Sequence, residues 1–184
     1  SPVLGAEITG AHLARPAAEA TVGTLRRALL DHLVVVVRDQ ALSPDDQIAV
    51  SARFGALEAH DNARFLKDGH PEILVLSNAR ADGRLIGVPD AGDAWHSDLS
   101  FKPETALFTV LQSVELPSRG GDTEFADLHA AYDALPDALK RRLAGLRAAN
   151  GYRYMWNKKA REFGIRPILG EKELEKYPPD AVHP

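Results

Sequence analysis

A chain of 184 residues is long enough for one domain with a substantial core and not clearly for two. With 45% hydrophobic and 26% charged residues and a formal net charge of −4, it offers no basic footprint for nucleic acid or an anionic membrane. No apolar run approaches the roughly 20 residues that span a bilayer, and no secretory pattern opens the sequence, so a cytoplasmic location is expected. Cysteine is absent, which leaves His, Asp and Glu as the ligands for any metal site.

In chain order, Leu4–Gly10 reads as a short strand between glycines. Val22, Leu25, Ala28, Leu29 and Leu33 share one helical face, which predicts a helix over 21–33. The apolar run Leu33–Val37, stopped by Arg38-Asp39, reads as a buried strand. Ser43-Pro44-Asp45-Asp46 supplies an N-cap, a proline at the first helical position and two first-turn acids, so a helix runs from there to about Phe54-Gly55. Residues 56–70 are expected to be an irregular loop, 72–77 a strand, and 79–93 a mobile loop.

Strand character is expected again at Trp95–Asp98 and more strongly at Ala106–Leu116. A turn at Gly120-Gly121 leads into a short strand, Thr123-Glu124-Phe125. Helices are expected over 127–135 and 137–146, parted by Pro136. The stretch 147–156 is β-like, and 158–184 is a charged, partly helical excursion interrupted by prolines. Strands lead and helices decorate, so a mainly β, α+β fold of the sandwich or jelly-roll kind fits better than alternating βαβ units.

The sharpest local feature is Trp95-His96-Ser97-Asp98. On an extended segment residues i and i+2 project from the same face, so the His96 imidazole and Asp98 carboxylate converge on one divalent ion. One nitrogen and one hard oxygen suit Fe(II), Mn(II) or Zn(II), and are part of a 2-His-1-carboxylate triad. Alone, the pattern is weak, and a surface His beside a turn-initiating Asp is the better reading of it.

Context favours the metal. Trp95-His96-Ser97-Asp98, the run Ser113–Asp127 containing Gly120-Gly121-Asp122-Thr123, and Ala131–Pro136 together resemble the taurine dioxygenase / 2,4-dichlorophenoxyacetate dioxygenase family. Leu4–Gly10, Val37-Arg38-Asp39-Gln40, Ser43–Ala49 and Arg53-Phe54-Gly55 resemble its N-terminal segments in the same order. The resemblance implies a double-stranded β-helix (jelly roll) that holds Fe(II) through His96, Asp98 and a later His. It also implies 2-oxoglutarate and O2 as cosubstrates, with the distal carboxylate of 2-oxoglutarate bound by Thr123 and a later Arg. The implied activity is hydroxylation of a small anionic substrate, with release of succinate and CO2.

The distal His and Arg have no match here. His183-Pro184 resembles the start of a following strand instead, and His12, His32, His60, His70 and His129 lie in segments unlike the distal motif. The chain is therefore expected to be the N-terminal portion of a single oxygenase domain, not active by itself. A catalytically inactive jelly-roll binding module is the alternative, and hydrolysis at a Zn site lacks a second nitrogen ligand and a general base.

His60 falls where sulfonate-using relatives place a His near the substrate anion, a solvated loop His being the bland reading. Ala63 and Gly92 depart from a taurine site. The segments Asp98–Phe101 and Gly120–Phe125 lean toward the aryloxyacetate branch, with sulfonates and sulfate esters as the other substrate classes. Arg64 and Lys102 are further candidate anion contacts. Trp95 is expected as a core residue or pocket wall. Residues 150–159, rich in aromatics, are expected to pack, with a lid or an interface between copies of the chain (a homo-oligomer) as the alternatives.

Overall fold

The structure, a computed structural model, describes residues 4–14, 17–60, 63–89, 91–92, 94–163, 168–175 and 180–184. Ser1-Pro2, Asp90 and Asp93 of the 79–93 loop, and Pro167, Pro178 and Pro179 of the charged excursion lie outside the described residues. Two units share the chain: residues 1–93 with 110–131, and residues 94–109 with 132–184.

In the first unit, β1 (Ala6–Ile8) runs parallel to β2 (Val35–Val37), with Ala6 opposite Val35. A parallel pair needs a crossover, and α1 (Glu19–His32) supplies it. This is one βαβ unit, where the sequence pattern had favoured strands joined without such crossovers. The crossover helix forms because Val22 and Leu25 face inward and are buried, an apolar stripe at helical spacing. It stops at Leu33, whose φ of 65° reverses the chain while its N–H reaches the Leu29 carbonyl. Gln40 then fastens the outgoing chain: its amide donates to the Ala11 carbonyl (2.9 Å) and accepts from the Leu13 N–H (3.0 Å).

Helix α2 (Pro44–Ser51) begins at the N-cap Ser43. Ser43 Oγ accepts from the Asp46 N–H (3.1 Å) and Asp46 Oδ2 accepts from the Ser43 N–H (3.2 Å), a reciprocal capping box. A 3₁₀ turn at Ala63–Phe65 leads to β3 (Leu66–Lys67), which pairs antiparallel with β4 (His70–Leu74). The 79–93 segment, expected as a mobile loop, contains a hairpin of β5 (Arg80–Ala81) and β6 (Arg84–Leu85). Asp82 and Gly83 turn it at φ values of 48° and 76°, the Asp-Gly chemistry that tight hairpins require.

Helix α3 (Leu128–Asp133) leads from the first unit into the second, where α4 (Asp137–Leu143) follows Pro136. Strand β7 (Ala148–Asn150) pairs antiparallel with β8 (Ala181–His183), with Ala148 opposite His183. Between them lie α5 (Tyr152–Phe163) and the short α6 (Glu171–Leu174). The β-like reading of 147–156 therefore holds for 148–150 alone. Tyr152 and Trp156, four apart, share a helical face with ring centroids 6.1 Å apart, and Phe101 packs on Tyr152 at 4.7 Å.

Three other expected strands are absent as such. Residues 95–97 carry no regular structure and 98–100 form a turn; 106–116 and 123–125 are likewise irregular. A strand exists only with a neighbour for its N–H and C=O groups, and these segments have none among the described residues. Leu107, Leu111, Val114 and Leu116 are accordingly exposed. The described residues form four two-stranded sheets, and helical residues outnumber strand residues, so the architecture is mixed where a mainly β one was expected. Among the described residues no helix is long and apolar enough to cross a membrane.

Gly87 shows how tightly the first unit is drawn together. Leu76 bridges Val88, with Ser77 N–H donating to the Val88 carbonyl (3.1 Å) and Val88 N–H to the Val75 carbonyl (2.9 Å). A Cβ on Gly87 would lie 2.6 Å from Ser77 N and 2.8 Å from Val75 O, both backbone atoms. Gly87→Ala is expected to cost about 1–3 kcal/mol through this overpacking, read as a lowered denaturant midpoint; an unchanged midpoint contradicts the close approach.

His70 ties β4 to α2. Its Nδ1 lies 2.9 Å from the Asp68 carbonyl and its Nε2 3.1 Å from Asp45 Oδ1. Both oxygens only accept, so both ring nitrogens have to donate, which is the protonated imidazolium. The Asp68 carbonyl bond and then the Asp45 carboxylate raise its pKa above the ordinary 6.5, against an opposing effect of burial, while the charges of Asp45 and Glu72 add to the rise. The folded pKa is above the unfolded one, so this stabilisation is complete below about pH 6.5 and is lost as pH rises through the folded value. The stability difference between the native protein and His70→Gln should be larger at about pH 5.5 than at about pH 8.5 in urea titrations. Equal differences contradict the assignment.

Candidate metal centre

In the second unit the chain bends at Ala94, has no regular structure over 95–97 and turns at Asp98. The expected strand is absent, yet the two side chains are brought to one side of the chain. His96 Nε2 and Asp98 Oδ1 are 3.2 Å apart.

The remaining atoms of the pair are already engaged. His96 Nδ1 lies 2.7 Å from the Ala94 carbonyl, which only accepts, so Nδ1 carries a proton and Nε2 is the nitrogen left to ligate an ion. Thr109 donates its hydroxyl to Asp98 Oδ2 at 2.7 Å, leaving Oδ1 to face the imidazole. In the neutral-ring state two lone pairs confront each other, an arrangement that a cation between or beside them relieves. Two ligands each roughly 2.1 Å from one ion and at a right angle to each other are about 3 Å apart, close to the observed separation. The donor set and its spacing fit a divalent metal.

Both side chains are about half exposed, at 54% and 49%, so water and small ligands reach them. No group of three or more His, Cys, Asp or Glu that could hold a metal occurs among the described residues; the pair offers two donors. His183 lies in β8 and its Nε2 is 2.9 Å from the Ser100 carbonyl, which commits that nitrogen to a backbone contact. His32 ends α1, His70 is paired with Asp45, and His12 and His129 are exposed.

The other candidates are scattered. Thr123 is exposed and irregular, in the first unit, following Gly120 and Gly121 at φ values of 71° and 78°. The Gly-Gly turn is therefore present without the strand expected after it. Gly121 has Pro117 packed where a Cβ would lie, 2.9 Å away. His60 is half-buried in the loop after Gly55, also in the first unit. Arg64 lies over the Phe65 ring at 4.8 Å and Lys102 over Phe101 at 6.0 Å. Trp95 is 70% exposed, which corrects its expected place in the core.

Thr109 and the His183–Ser100 contact were not singled out from the sequence. Thr109 is eleven residues from its carboxylate partner, and no local pattern marks it. A hydroxyl two turns of chain beyond a His-x-Asp pair is too common a feature to stand out.

The whole chain, residues 1–184, matches the model of the taurine catabolism dioxygenase TauD, TfdA family. It is 37% identical over 193 residues to an alpha-ketoglutarate-dependent 2,4-dichlorophenoxyacetate dioxygenase of Cupriavidus pinatubonensis, an alignment covering 100% of this chain and 64% of that protein. It is 34% identical to pentalenolactone F synthase of Streptomyces arenae, over 98% of this chain and 63% of the relative. The crystal structure of AAD-2 in complex with Mn(II) and N-oxalylglycine matches with a TM-score of 0.72 and 26% identity, covering 98% of this chain and 63% of that one. The chain thus spans a little under two thirds of these relatives, and along that whole span it belongs to the taurine catabolism dioxygenase TauD, TfdA family.

Proposed function

We propose that this chain forms the iron-binding part of an Fe(II)- and 2-oxoglutarate-dependent dioxygenase that hydroxylates a small anionic substrate. The observation that carries this reading is the opposed pair, His96 Nε2 and Asp98 Oδ1, 3.2 Å apart and open to solvent, within a chain of this family. In the overall reaction one oxygen atom of O2 enters the substrate and the other enters succinate, while 2-oxoglutarate loses CO2. When bound, Fe(II) supplies the redox chemistry for that exchange.

The protein's own contribution is to hold the ligands in place. The Ala94 carbonyl fixes the imidazole tautomer, and Thr109 occupies one carboxylate oxygen so that Asp98 presents the other, the outer support that metal ligands generally need. A third protein ligand is required from outside the described residues, since none of them completes a cluster. Thr123 is assigned to the distal carboxylate of 2-oxoglutarate, to which its hydroxyl donates one hydrogen bond. His60 is assigned to the substrate anion. The substrate class is aryloxyacetate, sulfonate or sulfate ester; the 2,4-dichlorophenoxyacetate-acting relative supports the first. The domain is a jelly roll, and the apolar composition of the irregular segment 106–116 fits a strand of it.

The test uses full-length protein with Fe(II), 2-oxoglutarate and a panel of aryloxy acids, sulfonates and sulfate esters. Succinate should form with at least one of them. His96→Ala should reduce it by more than about 100-fold, beyond the range of outer-shell changes. Equal succinate from the native and His96→Ala proteins contradicts the reading. Thr109→Val should weaken Mn(II) binding about tenfold, and unchanged affinity removes Thr109 from the carboxylate's support.

A further inference from the structure

The turn that carries Asp98 is held at both ends. Leu99, directly after the carboxylate, has a φ of 54°, the left-handed region that costs a branched residue of order 1 kcal/mol or more. Such a conformation persists only where its surroundings impose it. Two backbone bonds do so locally: Ser100 N–H to the Ser97 carbonyl, long at 3.4 Å, and Lys102 N–H to the Leu99 carbonyl at 2.9 Å. The third restraint comes from far along the chain. His183 Nε2 lies 2.9 Å from the Ser100 carbonyl, across 83 residues of sequence.

A carbonyl only accepts, so His183 carries its proton on Nε2 and donates it there. His183 is itself well placed to act as an anchor. It ends β8, opposite Ala148 of β7. The neighbouring Ala181 is 5% exposed, and the carbonyl of Val182 accepts from Arg147 at 3.1 Å. The β7–β8 sheet is thus coupled through one imidazole to the residue two beyond Asp98.

We propose that His183 is a positioning residue for the metal centre: by gripping the Ser100 carbonyl it holds the 98–100 turn in its strained form and keeps Asp98 Oδ1 facing His96 Nε2. This rests on the reading of His96 and Asp98 as metal ligands. Releasing the grip lets Leu99 relax toward an ordinary backbone conformation, which swings the carboxylate away from the imidazole. The consequence falls on metal affinity without His183 touching the metal.

The experiment measures Mn(II) dissociation constants from the paramagnetic resonance of the free ion, in full-length protein, alongside melting temperatures. His183→Ala should bind Mn(II) roughly tenfold more weakly, the size expected for a supporting residue. His183→Gln, whose amide nitrogen reaches about as far as Nε2, should restore affinity to within about threefold of the native protein, because it keeps the donor. Val182→Ala, which loosens the same strand but leaves the Ser100 bond intact, should bind like the native protein. Native affinity in His183→Ala, no rescue by Gln, or an equal loss in Val182→Ala each overturns the proposal and leaves the metal-ligand reading standing. Should His183→Ala not fold, the Gln and Val182 variants decide. Native protein that binds no Mn(II), or binds it no better than His96→Ala does, removes the metal-ligand reading and this proposal with it.

Discussion

An imidazole nitrogen and a carboxylate oxygen 3.2 Å apart call for a proton or a cation to be shared by them. His96 Nε2 and Asp98 Oδ1 are in that position because their other atoms have been given away, Nδ1 to the Ala94 carbonyl and Oδ2 to the Thr109 hydroxyl. A proton satisfies the pair as a salt bridge; a divalent ion satisfies it as two ligands. Exposed ion pairs contribute little to stability; under the proposed function the support from Ala94 and Thr109 serves binding. The left-handed Leu99 points the same way, since strained backbone is retained where function needs a fixed side chain.

Both units are sparsely packed. Val22, Leu25, Val50, Ala160 and Ala181 are the buried apolar residues among those described, and the strands are two to five residues long. Elements are held as much by specific polar clamps as by packing: Gln40 on the 11–13 segment, the capping box of α2, His70 on Asp45, and Asn157, whose amide both donates to the Leu169 carbonyl (3.0 Å) and accepts from its N–H (2.9 Å). The exposed ion pair of Arg38 with Glu7, 65% and 44% exposed, adds little by comparison.

Local chemistry was legible in the sequence and long-range pairing was not. The start of α2 followed directly from Ser43-Pro44-Asp45-Asp46, because capping involves only neighbours. The inward face of α1 followed from the spacing of Val22 and Leu25. The stretch 106–116 has strand composition, yet composition cannot provide a partner backbone, and none is present among the described residues. Tyr152, Tyr154 and Trp156 mimic strand alternation at a spacing of two. In fact Tyr152 and Trp156 lie on one helical face, while Tyr154 is 67% exposed. The closeness of His96 and Asp98 could be read from their spacing, although irregular backbone and a turn replace the expected strand. His183 and Thr109 could not, because their partners are set by how the chain folds back on itself.

The most direct measurement is an anomalous difference map from crystals of the full-length protein grown with Mn(II). The account predicts a peak bonded to His96 Nε2 and Asp98 Oδ1, with Nδ1 still on the Ala94 carbonyl and Oδ2 still on Thr109. A peak elsewhere, or an imidazole and carboxylate turned away from each other with no ion between them, contradicts it.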